Sequence, residues 1–179
     1  MDVGNMSWAI AATALVLFMT PGVAFFYGGL VKAKSVISMM MLSFGSMGLA
    51  GVLWVLIGYN MSAVSNPFDF AGDPFSDFAL ASADDNTLLY ATYGGTFAII
   101  TIALVSGAIA DRAKFGSWMI FVGLFSVLVY FPVAAWVWGG GWIMNLGESL
   151  GMPAVIDYAG GTAVHINAGA AALALALIL

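Results

Sequence analysis

Two ionisable residues near the end of the chain have the types and spacing needed for proton and cation chemistry. Asp157 and His165 stand in the stretch DYAGGTAVHINAG, and His165 is the only histidine among 179 residues. A carboxylate attracts cations, and an imidazole can donate or accept a proton near neutral pH. The apolar run ALALALIL follows directly. Ionisable groups in so apolar a segment are costly, which makes both residues candidates for a functional site.

Asp157 has two interpretations. It precedes Tyr-Ala-Gly-Gly, where a helix should begin, so its carboxylate can cap the first free amides and complement the helix dipole. It can also provide a negative field for a cation that arrives from outside. The cap is the structural interpretation, and the field is the functional one.

His165 also has two interpretations. It lies roughly 10–12 Å further along the helix at 1.5 Å per residue, inside a hydrocarbon layer about 30 Å thick. One interpretation is an interhelical hydrogen bond that holds a bundle together. The other is a pore-lining imidazole, which burial would keep neutral. A metal site is not expected, because no second histidine, cysteine or acidic cluster shares this depth.

Two aromatic residues extend the candidate site. Phe97 lies in YGGTFAIIT, and Trp138 lies in AAWVWGGGWI at a predicted membrane boundary. A tryptophan at an interface usually serves as an anchor, but an aromatic face beside an entrance also attracts small cations. The sequence carries no nucleophile elbow, phosphate loop or paired deep carboxylates, so we predict that it is not an enzyme. Its four cations exclude nucleic-acid binding.

The elements that must position these residues are membrane-spanning helices. The chain is 63% hydrophobic and only 7% charged, far from the composition of a soluble domain. A span needs roughly 20 apolar residues, and the runs lack the strict alternation of barrel strands. We therefore predict an all-α polytopic membrane protein. Its five predicted spans are about Met6–Leu30, Ser35–Tyr59, Leu88–Ala110, Phe115–Trp138 and Gly160–Leu179.

The charges predict the orientation. All four cations fall in two short turns, 31–34 and 111–114, which the positive-inside rule assigns to the cytoplasm. The N-terminus, the acidic loop 60–86 and the loop 139–156 are then expected outside, and Leu179 inside. Asp157 would sit at the outer mouth, with His165 about two turns beneath it.

Four stretches, in order, resemble the ammonium transporter family (Amt/Mep/Rh), and the similarity covers nearly the whole chain apart from the loops. They are FMTPGVAFFYGGLVKAKSVISMMM (Phe18–Met41), TFAIITIALVSGAIADR (Thr96–Arg112), VWGGGW (Val137–Trp142) and DYAGGTAVHINAG.

The resemblance implies an inverted-repeat transporter of two five-helix halves and a final helix, which forms a homotrimer in the cell (plasma or inner) membrane. It assigns Asp157 to structure and electrostatics at the outer cation site, and His165 to the first of two pore histidines. Phe97 corresponds to an aromatic gate and Trp138 to cation recruitment. Tyr93 corresponds to the neighbouring gate aromatic, although the family commonly has Phe-Gln where this chain has Tyr93-Gly94.

The family runs to about eleven spans, so we expect residues 1–179 to be the N-terminal half of an ammonium transporter domain, and the chain a fragment. The second pore histidine, the second gate phenylalanine and the serine of the outer site would lie in the other half. The alternatives to a fragmentary product are a truncated piece and half of a two-chain assembly.

The implied function is ammonium or ammonia transport, with methylammonium as an analogue. A cation is recruited at the outer aromatic site, loses a proton and passes a histidine-lined apolar pore. The implied partners are the substrate, the lipid bilayer and a cytoplasmic regulatory protein; no cofactor is implied. Two alternatives stay open, an ammonium-sensing domain of a signalling protein and a half-repeat that does not transport. An unrelated membrane enzyme is disfavoured because no catalytic set is present.

Overall fold

Five long helices make up most of the computed structural model, which describes residues 2–179. Each is long and apolar enough to cross a membrane. We label them α1 to α5 in chain order. Their bounds are Val3–Leu30 for α1, Ala33–Met61 for α2, Asp85–Ile109 for α3, Phe115–Trp138 for α4 and Gly161–Ile178 for α5. The five predicted spans are therefore confirmed, with ends that differ by at most a few residues.

The first helix begins and continues for local reasons. The Asp2 side chain accepts a hydrogen bond from the Asn5 amide at 2.9 Å and caps the helix. Pro21 lies inside α1, yet the helix continues from Val3 to Leu30. Proline within a membrane helix is tolerated where neighbouring helices and local adjustments satisfy the freed backbone groups.

The third helix is the centre of the bundle. It packs against α1 and α2 along its length, and it also contacts α4 and α5. Its N-terminal end is capped by Asp84, whose carboxylate accepts a bond from the Thr87 amide at 2.8 Å. Because α3 is surrounded, residues from Ala98 to Ala103 are all buried, whereas most of α1 and α5 is not. Side chains that α3 directs between its neighbours are therefore held in fixed positions.

Three of the five spans contain a π-helical segment. These segments are Trp54–Gly58 in α2, Ser126–Tyr130 in α4 and Gly161–Ile166 at the start of α5. Pro132 lies two residues after the second segment, near the start of the α-helical part Phe131–Trp138. Such π-helical bulges are rare in proteins, and many of those that are found lie at functional sites. Here they carry or adjoin the residues that form the candidate site.

The loop between α2 and α3 is tied across the end of α4. The Val64 amide donates to the Gly139 carbonyl at 2.8 Å, and the Trp136 indole donates to the Phe70 carbonyl at 2.9 Å. A side chain at Gly139 would overlap the Ser62 carbonyl, so only glycine allows the two backbones to come this close. The loop therefore covers the same end of the bundle as Asp157.

Candidate functional site

Asp157 caps the last helix with both carboxylate oxygens. Its Oδ1 accepts from the Gly161 amide at 2.8 Å, and its Oδ2 accepts from the Thr162 and Ala163 amides at 2.9 and 3.1 Å. Gly160 precedes these amides with φ 73°, a left-handed conformation that suits glycine. The structural interpretation of Asp157 is thus confirmed. The same geometry holds the carboxylate at the N-terminal end of α5.

His165 bonds to its own helix. Its Nδ1 lies 3.0 Å from the Gly160 carbonyl oxygen, and a carbonyl can only accept, so Nδ1 is the nitrogen that carries hydrogen in this bond. In a neutral imidazole Nε2 is then a free acceptor. The interhelical bond considered from the sequence is not observed; the intrahelical bond takes its place because the wide π turn brings residue 165 back over the carbonyl of residue 160.

Three aromatic side chains from two helices form one continuous cluster. The Tyr93 and Phe97 rings meet edge to face, with centroids 4.9 Å apart, and Phe97 meets Trp138 in the same way at 5.7 Å. Tyr93 and Phe97 are one turn apart on α3, and Trp138 ends α4. The structure therefore brings together the three aromatics that the sequence singled out separately. We call Tyr93, Phe97 and Trp138 the aromatic cluster.

A direct hydrogen bond links the aromatic cluster to the capped helix. The Trp138 indole nitrogen donates to the backbone carbonyl of Asp157 at 2.9 Å. The indole is therefore fixed in orientation, and its position depends on where α5 begins. Within one connected arrangement, Asp157 holds the start of α5, and its carbonyl holds Trp138 against Phe97.

The aromatic cluster lines a cavity of about 760 Å³, which residues of the loop between α2 and α3 also line; we call it the outer cavity, after the predicted orientation. Its lining includes polar side chains of that loop, among them Asp69, Asp73 and Ser76. Aromatic rings and Gly94 line it as well. A small cation in this cavity would meet both carboxylates and aromatic faces, and both attract cations, the rings through their quadrupole.

His165 does not line this cavity; it lies on an open face of the bundle. It is exposed, as are Ile166, Gly169 and Ala170 on the same helix. Large apolar side chains further along α5, Leu173 and Leu177, are also exposed. Residues 2–179 therefore provide only one wall around the imidazole. Across those residues no group of three or more His, Asp or Glu side chains could hold a metal ion.

Among the lining residues that sequence reasoning missed, Trp54 is the one that packs on α3 beside the aromatic cluster. It is 4% exposed, lines the cavity and contacts α3 at Gly94 and Gly95. Two adjacent glycines in the middle of a span were the available signal, because such pairs mark close approach of a neighbouring group. Nothing in the sequence indicates which of the other helices would fill that space.

The fold and the site define a multi-pass helical membrane protein with a cavity lined by carboxylates and aromatic rings, and with a histidine on an open helix face outside that cavity. The chain belongs to the ammonium transporter family, because the sequence profile of the Ammonium Transporter Family matches residues 7–179. Members of this family are transporters or channels and not enzymes.

Individual relatives agree with this assignment. The chain is 44% identical over 209 residues to an ammonium transporter of Mycobacterium tuberculosis, an alignment that covers 99% of this chain and 43% of that protein. It is also 44% identical to an ammonium transporter of Aquifex aeolicus over 187 residues, which covers 100% of this chain and 43% of the relative.

Solved structures show the same fold. A mutant of Mep2 from Candida albicans superposes with a TM-score of 0.86 at 34% identity, covering 100% of this chain and 40% of that one. Mep2 from Saccharomyces cerevisiae superposes with a TM-score of 0.81 at 32% identity, covering 100% and 43%. The chain thus spans less than half the length of the curated relatives and solved structures it matches.

Proposed function

We propose that residues 1–179 form the N-terminal half of an ammonium transporter domain, and that the protein to which they belong moves ammonium or ammonia across the membrane. The match of nearly the whole chain to less than half of each relative supports this division. So does the open face around His165, which requires a second wall before it can enclose a path. In transporters built from repeats the substrate site lies at the repeat interface.

The first step of the proposed mechanism is cation recruitment in the outer cavity. Ammonium has about the same charge and size as potassium, but it offers four N–H donors and a removable proton. The aromatic faces of Phe97 and Trp138 favour a small cation, and Tyr93 extends this surface. The capped carboxylate of Asp157 adds a negative field. The hydrogen bond from Trp138 to the Asp157 carbonyl supports a pre-organised site.

The second step is loss of a proton and passage along the His165 face. A charged species is expensive in an apolar path, by several kcal/mol or more, whereas neutral ammonia is not. With Nδ1 bonded to Gly160, the Nε2 atom of His165 is a free acceptor for an N–H group on the path. This single observation carries the proposal for His165. A second histidine, from the other half, is proposed to complete the relay.

We also propose an orientation and an assembly. With the cationic turns 31–34 and 111–114 in the cytoplasm, the N-terminus and the outer cavity face outside, and the membrane is the plasma or inner membrane. A homotrimer is proposed for the complete protein, by similarity to the family, and the cytoplasmic side is where a regulatory protein would bind.

Uptake by the protein expressed from its complete reading frame tests the function. We expect uptake of ammonium and of its labelled analogue methylammonium by the wild-type protein. Uptake should fall at least about 100-fold in His165→Ala, because a positioned proton-transfer group typically contributes about 10²–10⁴-fold. His165→Glu should change the selectivity. Ile166→Val, next to His165 and also exposed, is the matched control and should retain uptake.

Two results would contradict this proposal. Wild-type rates and selectivity in both His165 variants would remove the role of the imidazole. Absence of uptake by the wild-type protein, correctly inserted in the membrane, would favour the sensing alternative.

The isolated chain provides a second test, because the open His165 face favours a half-repeat that does not transport by itself. Reconstituted residues 1–179 should not conduct ammonia above empty liposomes, and a rate above that background would reject the two-walled path.

A further inference from the structure

Trp54 occupies a position in the outer cavity that the proposed mechanism does not yet use. It is the first residue of the π segment Trp54–Gly58 in α2, and its ring is almost completely buried. It nevertheless lines the same cavity as Tyr93, Phe97 and Trp138. A large aromatic side chain is therefore part of the wall that a bound cation would face.

The indole is fixed against α3 in three ways. Its Nε1 donates to the Ala91 carbonyl at 2.8 Å. A Cβ atom at Gly94 would lie 2.8 Å from the indole Cζ2, and one at Gly95 would lie 2.8 Å from Cδ1. Both distances are too short for real atoms, so the indole lies on a surface made by two glycines, in the turn of α3 that also carries Tyr93.

Two fully buried aromatic side chains pack against the indole on its other sides. Its ring meets Phe131 edge to face at 5.6 Å and Tyr130 at 6.3 Å, and both of these residues are fully buried. Phe131 itself fills the space over Gly58, where a Cβ atom would lie only 2.6 Å from the Phe131 ring. The π segment of α2 thus packs against Tyr130, the last residue of the π segment of α4, and against Phe131, which follows it. The free volume beside the indole is the outer cavity.

We propose that Trp54 is a specificity-determining residue of the outer cavity, whose indole limits the size of the ammonium-type cation that fits beside the aromatic cluster. This inference rests on the proposed transport function. An alkylated ammonium carries an added methyl group that needs space at the cavity wall. Close-packed interiors do not yield easily, so a ring held by a hydrogen bond and two glycines excludes that group. One methylene in an apolar pocket changes discrimination by about 10- to 200-fold at most.

Two substitutions should change the selectivity in opposite directions. Trp54→Phe removes part of the indole and widens the cavity. Gly94→Ala adds a methyl group to the cavity wall and pushes the indole away from α3, toward the free volume of the cavity. Gly48→Ala is the matched control, because a Cβ atom there meets nothing within 4 Å. All three keep the aromatic cluster and His165 intact.

The measurement is uptake of ammonium and methylammonium, each as maximal rate over KM, by the protein expressed from its complete reading frame. The ratio of methylammonium to ammonium should rise at least about threefold in Trp54→Phe and fall at least about threefold in Gly94→Ala, below the limit for one methylene. Gly48→Ala should keep the wild-type ratio. A ratio is used because a loss of folded protein lowers both rates equally.

The outcomes separate the inference from the function. Wild-type transport with unchanged ratios in both variants, or ratios that move in the same direction, would overturn the role of Trp54 and leave the function standing. Absence of wild-type transport would overturn both. If Trp54→Phe does not reach the membrane, Gly94→Ala carries the test alone, and an unchanged ratio in that variant overturns the inference.

Discussion

Replacing the Asp157 carboxylate should loosen the start of α5 without displacing the rest of the bundle. Asp157→Ala removes the acceptors for three amides, those of Gly161, Thr162 and Ala163. Loss of a helix cap costs about 0.5–2 kcal/mol, and loss of a favourable charge at a helix start about 0.3–1 kcal/mol. Because three amides lose a charged acceptor together, we expect the upper end of both ranges, about 2–3 kcal/mol for local opening.

Hydrogen exchange of the chain in a membrane mimetic measures this quantity directly. A loss of about 2–3 kcal/mol corresponds to exchange roughly 30- to 140-fold faster in the segment 161–166. The segment 170–178 of the same helix is the internal reference and should change much less. Asp157→Asn keeps one acceptor oxygen and should show an intermediate effect.

A matched variant at Asp69 separates loss of the cap from loss of a negative charge. Asp69→Ala removes the same charge from the outer loop, and within residues 2–179 the Asp69 carboxylate accepts no hydrogen bond, so exchange in 161–166 should stay unchanged. The Trp138 indole donates to the Asp157 backbone carbonyl and not to its side chain, so Asp157→Ala keeps both partners of that hydrogen bond. Exchange in 161–166 that stays within about twofold of wild type in Asp157→Ala would refute the stabilisation that we assign to the three capping bonds.

Two further predictions concern the outer cap of α3 and the orientation. Hydrogen bonds from the Thr87 side chain and backbone lower the pKa of Asp84, so the stabilisation by its carboxylate is present at neutral pH and is lost as the pH falls through the lowered pKa. The difference in thermal stability between wild type and Asp84→Asn should therefore shrink toward acid pH. A difference that stays constant with pH would contradict the role of the Asp84 carboxylate as a cap. The chain has no cysteine, so a single introduced cysteine reports the side of the membrane on which it lies. Ser65→Cys should react with a membrane-impermeant thiol reagent added to whole cells, and Ser117→Cys should react only after the cells are permeabilised. The reverse labelling pattern would show that the predicted orientation is wrong.

Much of the candidate site could be predicted from residue types, because those predictions concern local physics. The cap at Asp157 follows from a carboxylate placed just before a helix that needs acceptors for its first amides. Phe97 and Trp138 could be selected as candidate site residues because they are aromatic residues of two predicted spans, Trp138 at a membrane boundary. The roles of these residues in cation recruitment and transport remain predictions, as do those of Tyr93 and His165.

Contacts between distant segments could not be predicted in the same way. The edge-to-face contact of Phe97 with Trp138 joins two spans, and so does the contact of Trp54 with Gly94. Which faces of two apolar helices meet depends on packing among all five spans, and uniformly apolar helices carry little amphipathic pattern to indicate it. The bond between His165 and Gly160 is local, but it depends on a π turn that residue types do not announce.

The sequence by itself determined the class of protein, the number of spans and the cap at Asp157, because hydrophobicity, span length and free helix amides act over one segment at a time. Only the tertiary structure decided that Trp138 is held by the Asp157 carbonyl, that Trp54 belongs to the cavity wall and that His165 lies on an open face. These facts depend on how the helices pack, and close packing is a property of the whole bundle.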